Sequence, residues 1–424
     1  MANSRKTAVK ALCQVFENGA YSNITLNKTL AENELSANEK QFATALFYGV
    51  LDRAITLDYI ISKHIKTPIK KLSPFALQTL RVAIYQIMFM DKIPESAAVN
   101  EAVKIIKSSK EKYLAGFVNG VLRSILREKT ELPQGDDIKS LEIRYSCPEW
   151  IVKSIVDDYG IENAKKYFEH TLLTPPVTVR VNTIKISPDD LILNLAECGV
   201  RAQKTPLENS LEIIGGIDVS KNRCYLKGLF HIQDIASQTA VKILSPHKSE
   251  RVLDLCAAPG GKTFTMAQYM ENKGEIIACD IYEHKIKLIS KGAKRLGIDI
   301  IKPQLNDASV YNENLGLFDA VLCDAPCSGL GVIRRKPEIK YKNTDEYADI
   351  TAVQSQILEN AVMYLKDGGR ILYSTCTLRK CENEGVIQGF LDKHPCYELK
   401  YQHTFMPQTD GTDGFYCALL QKSR

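Results

Sequence analysis

The sequence predicts a multidomain protein: an α-helical N-terminal bundle, a small α+β domain, and a C-terminal α/β domain on a parallel sheet. Three observations predict it. Through the first 130 residues, apolar side chains recur at helical spacing. Alternating valines then appear in "PPVTVRVNT". From residue 251 on, short apolar runs alternate with helical text, as in sheets covered on both faces.

Each element has local support. Ala8, Leu12, Val15 and Phe16 share one helix face, and Gly19 suits its C-terminal stop. Ser36 and Glu39 in "SANE" have capping-box spacing. Pro74 in "SP" marks a first helical position. Two further helices are expected in "ESAAVNEAVKIIKSS" and "KYLAGFVNGVLRSILREK". "ELPQGDD" at 131–137 reads as a linker, giving domains at 1–132, 138–232 and 233–424.

The middle domain opens with helical text, "PEWIVKSIVDDYG" and "NAKKYFEHTL", before the valine strand. "SPDDLILNLAECG" follows as a helix with Ser187 as cap, Pro188 at its start and Gly199 past its end. "LEII" and "LKGLFHI" are short strand candidates. In the last domain "QDIASQTAVKILSP" is a helix. The strands are "RVLDLC", "GEIIACD", "DIIKPQL", "FDAVLCD" and "GGRILYSTC". Ligands on such sheets bind beyond the carboxyl ends of the strands.

Composition narrows the class. The N-terminus lacks an apolar signal-peptide region, and Gln78, Arg81 and Gln86 interrupt the most apolar helix. A cytoplasmic chain without a membrane span is expected. Its 12 cysteines then read as free thiols. No C-x-x-C pair occurs, so no metal is expected. Residues 1–140 hold 20 Lys/Arg against 14 Asp/Glu, which places the basic excess in the N-terminal third. That fits a grip on a polyanion, or equally a helical domain with solvated lysines.

"DLCAAPGGKT" at 254–263 follows a strand and opens a helix. A phosphate-binding G-x-x-x-x-G-K-[ST] loop fails because Cys256 occupies the place of its first glycine. The G-x-G-x-x-G spacing of dinucleotide sites is absent. What remains is a small-residue turn that lets backbone approach a nucleoside without phosphates, as in S-adenosylmethionine. Lys262 would then lie near the methionine carboxylate, at a positive helix N-terminus. Asp280, ending the second strand, suits the ribose hydroxyls, and Asp307, after the third, suits the adenine amino group. Either acid alone reads as a cap. Such positions at the ends of three consecutive strands point to a nucleoside site.

Two cysteines follow apolar runs, in "DAPCSG" at 324–329 and "YSTCTL" at 373–378. Amino-group methyltransferases often place an aromatic residue fourth in a related D/N-P-P-Y/F stretch; here Cys327 stands there. A pyrimidine carbon-5 becomes nucleophilic only after a thiolate adds to carbon-6. The proton on carbon-5 must later leave so that the sulfur can depart. Such chemistry needs an attacking thiol, an acid near ring N3 and a second group for elimination. Cys327 and Cys376 with Asp324 could supply them. Two buried structural thiols, or a disulfide, are the alternatives.

These stretches, with the closing "GTDGFYCALLQK", resemble the Nol/Nop/Sun family of RNA cytosine carbon-5 methyltransferases. "TVRVNT", "IQDIASQ" and "RRKPEIKY" extend the likeness over about 140–424, and the helical N-terminus is similar to a NusB-type RNA-binding domain. The resemblance implies a NusB-like bundle, a small RRM-like α+β linker domain and a Rossmann-like S-adenosylmethionine-dependent catalytic domain. It implies cofactor contacts from Cys256, Ala257, Ala258, Pro259, Gly260, Gly261 and Lys262, with Asp280, Asp307 and Asp324. Cys376 matches the nucleophile, Cys327 the cysteine of product release, and Asp324 the contact to base N3.

The implied substrate is 16S rRNA, free or in a partly assembled small subunit, acted on by a monomer. tRNA is the alternative substrate, and a non-catalytic RNA-binding assembly factor the alternative class. Tyr341, where relatives often carry Trp, is a candidate to stack on the base, as are Phe415 and Tyr416. Arg180, Arg334, Arg335 and Lys336 are candidates for phosphate contacts. For each of these residues and the three aromatics, a solvated or packed role fits the sequence at least as well.

Overall fold

The computed structural model describes residues 3–19, 22–342 and 344–422. They form two compact units, Met1–Leu173 with Ile333–Asn343, and Thr174–Val332 with Thr344–Arg424.

The first unit is helical. Helices α1 (Ser4–Asn18), α2 (Ser22–Ala31), α3 (Ala37–Lys63), α4 (Pro74–Phe89), α5 (Glu95–Lys107) and α6 (Ala115–Arg127) enclose a core that includes Leu12, Leu46, Phe47 and Leu80. The local signals act as expected. Gly19 ends α1 at φ 61°, Ser36 and Glu39 close a capping box on α3, and Ser73 caps α4 ahead of Pro74.

Three shorter helices, α7 (Ile138–Tyr145), α8 (Glu149–Tyr159) and α9 (Ile161–Thr171), lie in this unit. Thr56 Oγ1 on α3 donates to Ile143 O at 2.6 Å. Ser146 Oγ accepts from Ile55 N at 3.0 Å. The helical text at the start of the middle domain thus packs with the bundle before it.

The same unit takes in residues 333–343. Tyr341 donates to Leu51 O at 2.6 Å, and its ring lies 5.0 Å from that of Phe16. Lys340, 2 % exposed, donates to Asp52 O at 3.1 Å. Arg334 lies 2.8 Å from His170 Nε2 and is buried. Tyr341 and Arg334, candidates for an RNA base and phosphate or for packing, are therefore packed inside this unit by its apolar core and polar partners. Lys336 stays exposed.

The second unit begins with a four-stranded antiparallel sheet. Its elements are β1 (Val177–Val181), α10 (Pro188–Glu197), β2 (Arg201–Lys204), β3 (Ser210–Ile214), α11 (Arg223–Leu226) and β4 (Phe230–Ile232), in strand order β2-β3-β1-β4. The edge strand β2, "RAQK", carries no apolar alternation in sequence because it is mostly exposed. Arg180 is a correction to the phosphate candidates. It is 2 % exposed, donates to Gln268 Oε1 and Glu208 O, and lies over the Tyr269 ring.

The larger, seven-stranded sheet then assembles. Its elements are α12 (Ile235–Leu244), β5 (Arg251–Asp254), α13 (Gly261–Tyr269), β6 (Glu275–Asp280), α14 (Glu283–Leu296), β7 (Ile301–Leu305) and β8 (Phe318–Asp324). They continue with α15 (Ile350–Met363), β9 (Leu365–Thr375), α16 (Glu384–Lys393), β10 (Tyr397–Phe405), α17 (Pro407–Asp410) and β11 (Phe415–Lys422). The small sheet is tied to this layer at α14. Asn182 Nδ2 donates to both Gly228 O and Leu296 O at 2.8 Å. Gly228 is required there, since a Cβ would stand 1.9 Å from Arg295 O.

The strand order is β10-β11-β9-β8-β5-β6-β7. The pairs from β7 through β9 are parallel, whereas β11 runs antiparallel to both β9 and β10. The five strands expected from the sequence are parallel, and the final hairpin adds two antiparallel ones, so the sheet is mixed. β10, "YELKYQHTF", is a half-exposed edge strand with too little apolar text to be read as one. Phe415 and Tyr416, offered as base-stacking candidates, are 2 % and 0 % exposed on β11. Strand order reverses between β5 and β8, which sets the ligand crevice at their carboxyl ends. Among the described residues no helix is long and apolar enough to cross a membrane, and no cluster of metal-ligating side chains occurs.

Candidate active site

The loop after β5 is pinned to its neighbours by backbone. Leu255 N donates to Leu322 O at 3.0 Å, and Ala257 N to Cys279 O at 2.7 Å. Gly260 has φ 111°, a conformation that favours glycine, and a Cβ there would meet Phe264 Cζ at 2.3 Å. The turn therefore delivers α13 with its N-terminus facing the crevice between β5 and β8.

Two adjoining cavities lie there. The larger, ≈ 430 Å³, is lined by Cys256, Asp280, Asp307, Asp324 and Pro326 among others. The smaller, ≈ 190 Å³, is lined by Asp254, Ala257, Pro259, Gly261 and Lys262 among others. Cys256, Ala258 and Asp324 line both. Every sequence-predicted cofactor residue except Gly260 thus reaches one cavity or the other; Gly260 shapes the turn behind them.

The carboxylates differ in setting. Asp280 is 6 % exposed, accepts from Tyr282 N at 3.2 Å and lies 3.5 Å from Lys285 Nζ. Asp307 is exposed, and its Oδ1 caps its own turn through Ser309 N and Oγ. Asp254 is absent from the sequence candidates, although an acid at the end of the first strand obeys the same rule. Its Oδ2 accepts from Thr263 Oγ1 at 2.7 Å, while its Oδ1 is buried without a partner. Burial, with a contribution from Asp324, pushes the Asp254 carboxyl up to about 7.

Lys262 Nζ donates to Asp324 Oδ2 at 2.7 Å and lies 5.0 Å from the Phe415 ring centroid. Burial works against its charge, but attraction to Asp324, Cys376 and Asp254 outweighs that and raises its pKa. Asp324 Oδ1 accepts from Ser374 Oγ at 2.8 Å. The two thiols meet beside this pair, with Cys327 Sγ 3.3 Å from Cys376 Sγ. Neither is in a disulfide, and both are half-buried. The hydrogen bond to Cys376, then burial, raise the Cys327 pKa well above the ordinary thiol value. Either sulfur can donate in that contact.

With that geometry in view, comparison with known proteins is decisive. Residues 241–421 match the family described as 16S rRNA methyltransferase RsmB/F, 2–127 match the NusB family, and 147–220 match the RsmF/B-like ferredoxin-like domain. The probable ribosomal RNA small subunit methyltransferase B of Bacillus subtilis is 38 % identical over 99 % of this chain and 98 % of its own. The chain belongs to the RsmB/F family of 16S rRNA methyltransferases.

The ribosomal RNA small subunit methyltransferase B of Photorhabdus laumondii is 32 % identical over 99 % of both chains. The solved structure of PH0851 superposes with a TM-score of 0.84 at 29 % identity, covering 98 % of this chain and 99 % of that one. NSun6 from Pyrococcus horikoshii, solved with SFG, an S-adenosylmethionine analogue, shares the fold over 65 % of this chain and 98 % of its own. Its TM-score is 0.61 at 24 % identity.

RsmB/F enzymes depend on S-adenosylmethionine, and the residues present fit that molecule. The partnerless Asp254 Oδ1 is an acceptor for an ammonium group, and Lys262 in the same cavity is a cation for a carboxylate. Those are the two charges of an amino-acid end. Asp280 lines the larger cavity, where a carboxylate suits ribose hydroxyls. Sequence reasoning also missed Ser374, although it lies in the quoted "YSTCTL" stretch, and Gln354, Glu382 and Asn383, which belong to no motif read from the sequence.

Proposed function

We propose that this chain methylates carbon-5 of a cytidine in 16S rRNA, with Cys376 as nucleophile, Cys327 assisting release and Asp324 meeting the base at N3. The observation that carries this is the pair of thiols 3.3 Å apart beside the Lys262–Asp324 pair. Bound S-adenosylmethionine supplies an electrophilic methyl group. Asp254, Lys262, Asp280 and Asp307, with the loop Cys256–Gly261, hold it.

The chain's own groups do the rest. Cys376 sulfur, as thiolate, forms a bond to carbon-6 of a base taken out of its stack. The carbon-5–carbon-6 π pair moves towards the ring amidine, where Asp324, hydrogen-bonded by Lys262, shares at N3 the proton that Cys376 releases on becoming a thiolate. Carbon-5 is now nucleophilic and becomes methylated. As the double bond re-forms and the carbon-6–sulfur bond breaks, its pair returning to Cys376, the carbon-5 proton passes to the Cys327 sulfur, which gives up its own proton in the same step. The S–H of Cys327 donates to that departing sulfur and makes it a better leaving group.

The basic excess of residues 1–140 supports a role for the NusB-like bundle in holding RNA. The RNA is free 16S rRNA or a partly assembled small subunit. Transfer of labelled methyl to 16S rRNA, followed by nuclease digestion, should give 5-methylcytidine. Label on a ribose oxygen or an exocyclic amine would overturn the chemistry, and label on tRNA alone would overturn the substrate.

A further inference from the structure

Two consecutive buried residues, Glu382 and Asn383, hold the two cysteine loops separately. Both are 0 % exposed. Glu382 Oε2 accepts from Ser328 N, the residue after Cys327, at 2.9 Å. It also accepts from Gln354 Nε2 at 3.0 Å, and that amide donates to Pro326 O, the residue before Cys327, at 2.9 Å. Glu382 Oε1 is 3.2 Å from Arg379 Nη1, and its carbonyl accepts from Tyr373 OH.

Asn383 does the same around Cys376. Its Oδ1 accepts from Thr375 Oγ1 at 2.6 Å, and its Nδ2 donates to Thr377 O at 3.1 Å. One hydrogen bond, between Ser328 Oγ and Thr377 Oγ1 at 2.8 Å, links the two loops directly. Each thiol is therefore bracketed on both sides in sequence, and the brackets meet at one peptide bond.

We infer that Glu382 and Asn383 are positioning residues that set the Cys327–Cys376 separation, Glu382 with Gln354 governing the release thiol and Asn383 the attacking one. The inference rests on the cysteine roles proposed above. An acceptor-only carboxylate is demanded at 382, because every group facing it is a donor: a peptide N–H, an amide NH₂ and a guanidinium. An amide at 382 would turn its own NH₂ towards one of them. At 383 a side chain with one acceptor and one donor is demanded, because a hydroxyl and a carbonyl face it.

The test uses the full chain with 16S rRNA and cofactor, read on a denaturing gel for covalent RNA–protein complex, alongside steady-state kinetics. Cys327→Ala and Cys376→Ala serve as references, the first expected to accumulate complex and the second to form none. Glu382→Gln should accumulate complex as Cys327→Ala does, with kcat down on the order of 10²-fold and KM unchanged. Asn383→Leu should form no complex.

A second reading needs no RNA. A dithiol-bridging arsenical, phenylarsine oxide, joins two thiols and releases water. Peptide mapping should find Cys327 bridged to Cys376 in the native protein and not in Glu382→Gln. If Glu382→Gln fails to bind cofactor through misfolding, Gln354→Leu takes its place with the same expectations. Unchanged bridging, or a Glu382→Gln or Gln354→Leu enzyme that traps no complex while Cys327→Ala does, overturns the inference. If bridging is lost yet Cys327→Ala itself traps nothing, the positioning stands and the cysteine roles fall.

Discussion

Lys262 Nζ stands 2.7 Å from Asp324 Oδ2, so a single charge pair joins the cofactor loop to the cysteine loop. The Lys262 side chain is 12 % exposed and also feels Cys376, and in the function proposed above it is a counter-charge for cofactor, carboxylate and thiol. Lys262→Met should therefore lower kcat/KM on the order of 10²- to 10³-fold, through loss of an aimed charge in a partly dry site. Lys262→Arg should recover only part, because a planar fork does not reproduce a compact cation. Initial rates with cofactor titration check both. A Lys262→Met enzyme within a few-fold of the parent would remove this lysine from the chemistry.

Asp254 gives a pH dependence of definite sign. Burial raises its carboxyl from the ordinary 3.8 to about 7, so the folded protein binds this proton more tightly than the unfolded chain. The contribution favours folding below about pH 4, declines as pH rises from there to about 7, and is fully lost above. Stability of the cofactor-free protein should fall across that window by up to about 4 kcal/mol, at about 1.4 kcal/mol for each pH unit crossed. Asp254→Asn should flatten the fall. An ammonium group bound at Oδ1 favours the ionised form, so cofactor binding near pH 6.5 should release a proton. Calorimetry in buffers of different ionisation enthalpy measures that release, and an Asp254→Asn protein should show none.

The sequence and the structure agree most where local chemistry decides. Gly19, the Ser36–Glu39 box, Ser73–Pro74 and Ser187–Pro188 are one-turn signals, and their helices start or stop as expected. The cavity-lining loop was legible because small residues after a buried strand have few other uses. Tyr341, Arg180 and Arg334 were open between RNA contact and packing for a common reason: a large polar side chain fits either until a long-range partner claims it. Leu51 O, Gln268 and His170 are such partners, 290, 88 and 164 positions away. Glu382 and Asn383 belong to no motif read from the sequence. Asn383 binds Thr375 and Thr377 within eight positions, a loop contact with no spacing rule, and Glu382 reaches Ser328 54 positions away.

Gly260 tests whether the cofactor turn is fixed by backbone conformation or by packing. Phe264 Cζ is hemmed between Gly260 and Gly292, each of whose built Cβ atoms would stand 2.3 Å from it. The ring also meets His231 edge-on at 5.7 Å between centroids, so it has little room to yield. Only Gly260 adds a positive φ, 111°. Gly292→Ala should thus cost the overpacking alone, about 1–3 kcal/mol, less about 1 kcal/mol of helix propensity gained on α14. Gly260→Ala should cost the same overpacking plus about 1–3 kcal/mol of backbone strain. Adding Phe264→Leu to each should restore Gly292→Ala nearly to the Phe264→Leu background and leave Gly260→Ala still destabilised, with weakened cofactor binding. Denaturant unfolding of these four variants and of Phe264→Leu alone measures the difference. If Phe264→Leu rescues both alike, packing alone fixes the turn, and the left-handed conformation at 260 contributes nothing to holding the methyl donor.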